Sequence, residues 1–190
     1  MRLLRTVSEA EVVAEFLRAE WDSPRFGPRL RALTRDPSLV TAPRLDDEPE
    51  NDERAQLLEA HRAWLRRQGL FFGLPPAIDW FAAVFSRDEL LDILYIDWSW
   101  WVALSGGTRR PRDAARLLRT QEDPAAIAWY EPILRASTRL IAVTDLEHTR
   151  VVVMEGHARL TAYALFPERV DDEVEVLLGV APDMAAWSQF

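Results

Sequence analysis

Four residues near the carboxyl end of the chain have types and a spacing that suit the binding of an anion: Glu155, Gly156, His157 and Arg159. They follow the apolar run Val151–Met154, which predicts a strand, and they open a pattern typical of a helix. Such a junction collects unpaired backbone N–H groups at the positive end of a helix dipole. Gly156 has no Cβ, so a phosphate could approach the backbone closely, and Arg159 could donate two hydrogen bonds to it.

Glu155 and His157 add groups that can move protons. A carboxylate at the end of a strand could bind a metal ion or accept a proton, and an imidazole could donate to an oxyanion or relay a proton. With the neighbouring glycine and arginine, they make chemical sense around a nucleotide phosphate. The alternative is ordinary turn chemistry, in which His157 only caps the helix.

The stretch VVVMEGHARLTAYAL, Val151–Leu165, resembles the strand–turn–helix signature of the ParB/sulfiredoxin superfamily. Members carry a Gly-His-x-Arg or Gly-x-Arg-Arg turn after an apolar strand, and kinase-like members have Asp-Gly-His-x-Arg. They include ATP-using sulfiredoxins, CTP-binding partition proteins and free-serine kinases. The resemblance covers roughly residues 90–180, with a specific core at Glu155–Tyr163, and implies a small α+β domain that binds nucleotide phosphates.

Carried over position by position, the resemblance implies that Gly156, His157 and Arg159 bind phosphate. Glu155 stands where the kinases have an aspartate, so it would serve as a metal ligand or base. Mg²⁺ would bridge the phosphates of ATP, ADP or another nucleotide. Two departures matter: the absence of cysteine excludes sulfiredoxin activity, and Ala158 stands where partition proteins have a second arginine, which weakens a CTP-switch interpretation.

A weaker part of the resemblance lies upstream, in the segment Ile93–Leu118. In the family, an opening strand leads to a loop with an arginine and then to a helix, and this segment could be its counterpart, although its aromatic first part suits a buried helix equally well. The resemblance implies that Gly106, Gly107, Thr108 and Arg109 line the phosphate site from the opposite side. The alternative is a flexible connection with solvated arginines.

The elements expected before this segment are helices. Ser8 followed by Glu11 predicts a capped helix over residues 9–20, and a second helix is expected over residues 52–68. Residues 73–94 suggest two further short helices, the second capped by a serine with a glutamate three residues on.

Strand-forming patterns begin after Pro132. Residues 139–145 and 149–155 predict two strands joined by a turn, and residues 173–179 predict a third. The second strand leads into a helix predicted over residues 157–165.

These elements predict an α+β fold in two parts. A helical N-terminal region, residues 1–87, would pack on a small mixed α/β domain, residues 88–190, which the resemblance implies is of ParB/sulfiredoxin type. The first region resembles no family that we can name.

Composition excludes several other functions. The net charge of the 190 residues is -8 with a pI near 5.0, which argues against duplex nucleic acid as a partner. All 23 positive residues are arginine, so lysine Schiff-base chemistry and a Walker-type lysine are excluded, and the absence of cysteine excludes thiolate chemistry. The most apolar window is too short for a membrane span, so we expect a cytoplasmic protein.

Trp98, Trp100 and Trp101 predict core packing, with stacking on a ligand as the alternative for one of them. A carboxylate beside them, Asp97, would be costly to bury unless it is paired, which makes it a candidate for a pocket and for a partner such as Arg109. The remaining histidines, His61 and His148, are interpreted as ordinary surface residues.

The resemblance implies nucleotide-dependent phosphoryl transfer to a small molecule that the sequence does not identify. The alternative is a non-catalytic nucleotide-sensing or protein-interaction module, in which the tryptophan-rich part docks a partner. Assembly as a homodimer or with another protein stays open.

Overall fold

The computed structural model describes residues 1–121 and 123–190. The fold is α+β, with five strands forming one mixed sheet in the order β1–β2–β5–β3–β4 within those ranges. The strands are β1 (Arg2–Thr6), β2 (Asp79–Ser86), β3 (Leu140–Thr144), β4 (Val151–Glu155) and β5 (Glu173–Val180).

The helices begin and end as follows: α1 (Glu9–Trp21), α2 (Gly27–Leu33), α3 (Ser38–Thr41), α4 (Glu48–Arg62), α5 (Arg87–Leu90), α6 (Ser99–Leu104), α7 (Pro111–Thr120), α8 (Pro124–Ala128) and α9 (His157–Leu165). None of them, in the ranges that the structure describes, combines the length and apolar character that crossing a bilayer requires.

The strand pairing brings the end of β4 next to the beginning of β3. Strands β1, β2 and β5 pair antiparallel, β5 and β3 pair parallel, and β3 and β4 pair antiparallel. Leu94 adds a single parallel bridge to Val152 on the outer side of β4. The residues that follow β4 therefore lie beside the residues that precede β3.

Two hydrophobic layers enclose the sheet. On one face, α1 and α4 contribute Phe16, Leu17 and Leu58 to a core that also contains Ile141 and Val152 of the sheet. On the other face, side chains of α7 and α9 pack against the alternate residues of the strands. The helical layer of α1 to α4 thus lies over the junction between β3 and β4.

The first two long helices differ in how well the sequence predicts them. Helix α1 begins as expected, with the Ser8 hydroxyl accepting a hydrogen bond from the amide of Glu11 at 3.1 Å. Helix α4 begins earlier than predicted because Asp47 caps it. It ends at Arg62, before the predicted end at residue 68, because Ala63 adopts a left-handed conformation with φ 60°. Acidic residues in the first turn favour this earlier start because they complement the helix dipole.

The prediction of two short helices over residues 73–94 is wrong for the first of them. Strand β2 lies there and pairs with β5 over its whole length. The run Trp80–Phe85 has helix-forming alanines, but pairing with strands on both sides determines its conformation. The second prediction is confirmed, since Ser86 and Glu89 form a reciprocal capping box at the start of α5.

The later elements follow the sequence prediction closely: β3, β4, β5 and α9 lie where the apolar patterns place them. Strands β1 and β2, by contrast, come from the expected N-terminal region and join the same sheet as the later strands. Residues 1–87 therefore supply part of the sheet as well as the helical layer.

Candidate functional site

A β-bulge in β4 orients the carboxylate that ends the strand. Ile141 pairs with Glu155 and Ala142 pairs with Val153, so Met154 is an extra residue in the ladder. Residues that pair directly share a face of the sheet. Because Ile141 belongs to the core under α1 and α4, the bulge places Glu155 on that face.

Gly156 forms the turn between β4 and α9. Its φ of 101° lies in the left-handed region, and a Cβ at this position would overlap the Cδ2 atom of Leu140. The first intrahelical hydrogen bond runs from the amide of Leu160 to the carbonyl of Gly156 at 2.9 Å. Only glycine fits this turn without strain.

Three amides at the start of α9 face no protein acceptor. In residues 1–121 and 123–190, the amides of His157, Ala158 and Arg159 donate no hydrogen bond to the chain. Such N–H groups carry the positive end of the helix dipole. The arrangement suits a phosphate or carboxylate oxygen.

Glu155 is half-buried beside these amides. Burial raises the pKa of its carboxyl to about 7; the charge of Arg159 opposes the rise, and that of Glu20 adds to it. A carboxyl that exchanges its proton near neutral pH is well matched to general base catalysis.

The imidazole of His157 lies in an aromatic stack. Its ring centroid is 4.9 Å from that of Trp101 at an interplanar angle of 20°, and Tyr95 stacks on the same tryptophan at 4.9 Å. Burial, with a further contribution from the charge of Arg62, lowers the pKa of His157 to about 3. The ring is therefore neutral at physiological pH, and its Nε2 atom is buried without a hydrogen-bond partner in the part of the chain that the structure describes.

Arg159 lies beside the turn but uses its terminal nitrogens within the protein. It donates to the carbonyl oxygen of Thr138 and, at 2.7 Å, to the hydroxyl of the same residue. Its side chain is buried. Arg159 thus holds the segment before β3 against the first turn of α9, and the two-pronged phosphate contact expected for it would require these bonds to open.

The segment expected on the opposite side of the site also has protein partners. Arg109 donates from Nε to the carbonyl of Tyr95 at 2.7 Å and from Nη1 and Nη2 to main-chain oxygens of Phe190 and Gln189. The hydroxyl of Thr108 donates to the carbonyl of Ser105 at 3.0 Å.

Two glycines complete that segment, Gly106 and Gly107, and both have positive φ. They connect α6 to α7, so a short helix precedes this loop instead of the strand that the resemblance implies. From this part of the chain, Trp101 of α6 contacts His157 directly.

The helical layer supplies charged groups that sequence reasoning did not associate with the site. Glu20 of α1 accepts from Nε2 of His61 at 2.6 Å and from Nε of Arg62 at 3.0 Å. His61 is buried, so its interpretation as a surface residue is wrong. These groups lie far from residue 155 in sequence, and no local motif joins them to it.

Three other expectations concern the tryptophans, Asp97 and His148. Trp98 and Trp100 are 51% and 53% exposed, so the prediction of core packing is wrong for them, whereas Trp101 is half-buried. Asp97 is exposed rather than buried. His148 is exposed in a turn, as expected.

No group of three or more acidic or histidine side chains is placed to hold a metal ion among the residues described. Glu155 remains the predicted metal ligand of the turn. Comparisons with family models, curated proteins and solved structures find no match to this chain.

Proposed function

We propose that the protein binds the phosphates of a nucleotide at the start of α9 and transfers a phosphoryl group to a small molecule in the cytoplasm. The observation that carries the proposal is the group of three unpaired amides at His157, Ala158 and Arg159, beside a carboxyl whose pKa is about 7. The motif's resemblance to the ParB/sulfiredoxin superfamily supports it, and we extend that resemblance to the fold around the turn.

In this proposal each residue has a separate role. The amides at the start of α9 would donate to phosphate oxygens and stabilise the charge that develops on them. Glu155 accepts the proton of the acceptor hydroxyl as the new oxygen–phosphorus bond forms. The bond between that phosphorus and the bridging oxygen of the nucleotide breaks at the same time, and the shortened nucleotide leaves with the electron pair of that bond. Neutral His157 can donate a hydrogen bond from Nε2. Arg159 holds Thr138, and with it the segment before β3, next to the start of α9 by donating to the Thr138 hydroxyl.

Mg²⁺ fits this donor set only together with a nucleotide. The turn offers one carboxylate, Glu155, and proteins often hold Mg²⁺ through one or two carboxylates plus substrate phosphates. When bound, the ion would neutralise charge on the transferring group.

Thermal unfolding with ATP, ADP, CTP and GTP, each with and without Mg²⁺, tests the binding step. A nucleotide at a hundred times its dissociation constant stabilises a fold by about 2.7 kcal/mol. The Glu155→Gln variant is expected to keep this stabilisation and to lose nucleotide turnover. No shift with any of the four nucleotides would contradict the proposal.

A second function, nucleotide sensing without catalysis, is favoured by one observation. The terminal nitrogens of Arg159 and Arg109, the two predicted phosphate-binding arginines, donate to the protein's own oxygens, which leaves the transferring phosphoryl group fewer cations. In that case the wild-type protein and Glu155→Gln bind nucleotide alike, and neither turns it over with any acceptor offered.

A further inference from the structure

A positively charged surface surrounds the exposed side of α2. Residues 25–35 contain four arginines and no acid, whereas the whole chain has a net charge of -8. All four side chains are exposed, and in residues 1–121 and 123–190 none of them forms an ion pair. Neighbouring like charges repel one another, and an acidic partner relieves that repulsion. These four residues form the arginine surface: Arg25, Arg29, Arg31 and Arg35.

Contacts within the protein hold two of these arginines in place. The guanidinium of Arg31 lies 5.9 Å from the centroid of the Trp21 ring and donates to the carbonyl oxygen of the same residue. Arg29 donates from Nη2 to the carbonyl oxygen of Ala60, near the end of α4, at 3.3 Å. A guanidinium that is already ordered loses less conformational entropy when it binds a carboxylate.

The other end of α4 carries the opposite charge. Residues 46–53 contain six acids and no arginine. Asp47 and Glu50 pair with Arg44. The other four acids are exposed and form no ion pair within the part of the chain that the structure describes. They form the acidic surface: Asp46, Glu48, Asp52 and Glu53.

The arginine surface and the acidic surface meet the same side of α4. Asp52, Gln56 and Ala60 follow one another at intervals of four residues and are all exposed, so they form a row along the helix. Asp52 belongs to the acidic surface, and Ala60, which Arg29 contacts, lies about 12 Å away along the helix axis. The uncharged Gln56 lies midway between them.

We propose that these surfaces join two copies of the chain in a symmetric dimer, in which the arginine surface of each copy contacts the acidic surface of the other. A two-fold axis beside Gln56 exchanges the two ends of α4, so one such contact generates the second. The charges match, with four arginines against four carboxylates on each side of the axis. Leu33 and Leu45, which are both 41% exposed, add apolar area next to the arginine surface and the acidic surface, respectively.

A second copy fits the arginine surface better than duplex nucleic acid does. The rest of the chain is more acidic than the net charge of -8 indicates, and it would repel the many phosphates of a duplex. A second copy instead presents carboxylates at one limited surface. The dimer does not depend on the function proposed above.

Sedimentation equilibrium of the full chain tests the proposal. We expect a dimer at about 0.1 M salt that dissociates at about 1 M salt, since the Debye length falls from about 10 Å to about 3 Å. The double substitution Arg25→Glu and Arg29→Glu should raise the dissociation constant of the dimer by at least about ten-fold, because like charges then face each other. Asp52→Arg with Glu53→Arg should do the same from the other side of the contact.

The matched control reverses two arginines elsewhere, Arg116→Glu and Arg135→Glu. Both are exposed and lie outside the helical layer of α1 to α4, and their reversal changes the net charge as much as the reversal of Arg25 and Arg29 does. This control should leave the dissociation constant unchanged.

Mixing the two charge-reversed variants gives an independent result. In a mixed dimer both contacts again join opposite charges, so the mixture should dimerise about as tightly as the wild-type protein, although neither variant does so alone. Recovery of the dimer also shows that both variants are folded.

The position of the two-fold axis has its own test, because the chain contains no cysteine. Gln56→Cys should form a disulfide-linked dimer on oxidation, and Asp171→Cys, at an exposed position before β5, should not. A wild-type protein that stays monomeric at about 0.1 M salt overturns the proposal. So does a dimer that the charge reversals leave unchanged. Either outcome leaves phosphate binding at α9 standing.

Discussion

Glu155 is the residue whose protonation connects the fold to the proposed chemistry. Its ordinary pKa is 4.5, and burial raises it to about 7 in the folded protein. Between these values the folded state binds more protons than the unfolded state, so this carboxyl lowers stability as pH rises. Below pH 4.5 the Glu155 carboxyl does not reduce the stability of the fold. Above pH 7 its destabilising effect has reached its full size.

We therefore predict that Glu155→Gln gains stability relative to the wild-type protein as pH rises from 5 to 8. Each pKa unit corresponds to about 1.4 kcal/mol, so the gain is at most about 3 kcal/mol, and partial exposure of the side chain reduces it. Urea unfolding of both proteins at pH 5 and pH 8 measures the difference, in which the contributions of other groups cancel. A difference that stays constant with pH contradicts the raised pKa.

The turn from β4 to α9 is the element on which the site depends. The glycine at 156 is needed both for its positive φ and for the lack of a Cβ against Leu140. Gly107 also has a positive φ, of 91°, but a Cβ there would meet nothing within 4 Å. The two positions separate the cost of backbone conformation from the cost of steric overlap.

Gly156→Ala is expected to destabilise the fold more than Gly107→Ala. The control substitution carries only the conformational cost, of order 1 kcal/mol, whereas the first also displaces Leu140 and the beginning of β3. Chemical denaturation of both variants measures the contrast. Equal losses of stability would show that the close approach of Leu140 does not constrain the turn.

At the scale of the whole molecule, the N-terminal helices bring charge to a turn that lies more than ninety residues away in the sequence. Glu20 is buried, and although burial alone would raise its pKa, hydrogen bonds from His61 and Arg62 lower it. The same Arg62 charge lowers the pKa of Glu155 and of His157. The helical layer thus sets the electrostatics of the site as well as covering the sheet.

Arg62→Gln should cost about 2–4 kcal/mol of stability because it leaves the buried carboxylate of Glu20 with fewer donors. The control is Arg66→Gln, four residues on. The side chain of Arg66 is 64% exposed and forms an ion pair with Glu59. Exposed pairs contribute at most about 1 kcal/mol. If urea unfolding shows equal losses of stability for the two variants, the hydrogen bonds from Arg62 to Glu20 stabilise the fold no more than an exposed ion pair does.

How far the sequence predicts this molecule depends on the range of the interactions involved. The apolar patterns of β3, β4 and β5 and the turn at Gly156 are local signals, and the structure has these elements where they were predicted. Strand β2 escapes prediction because its alanines favour a helix until β1 and β5 pair with it.

The same limit applies to the site residues. The position of Glu155, Gly156 and His157 at the end of a strand follows from the local pattern. The terminal nitrogens of Arg109 donate to main-chain oxygens some eighty residues away, and no spacing rule indicates these partners. The bulge that turns Glu155 toward the helical layer depends likewise on its register with β3.

The most direct test of the central claim is nucleotide binding by two variants of Ala158, the half-buried residue that carries the middle one of the three unpaired amides. Ala158→Glu and Ala158→Gln add side chains of nearly equal size, but only the glutamate adds negative charge at the start of α9, where it also stabilises the helix. Calorimetric titration should show nucleotide binding to Ala158→Gln and its loss in Ala158→Glu. Equal binding by both folded variants would contradict an anion site at this helix.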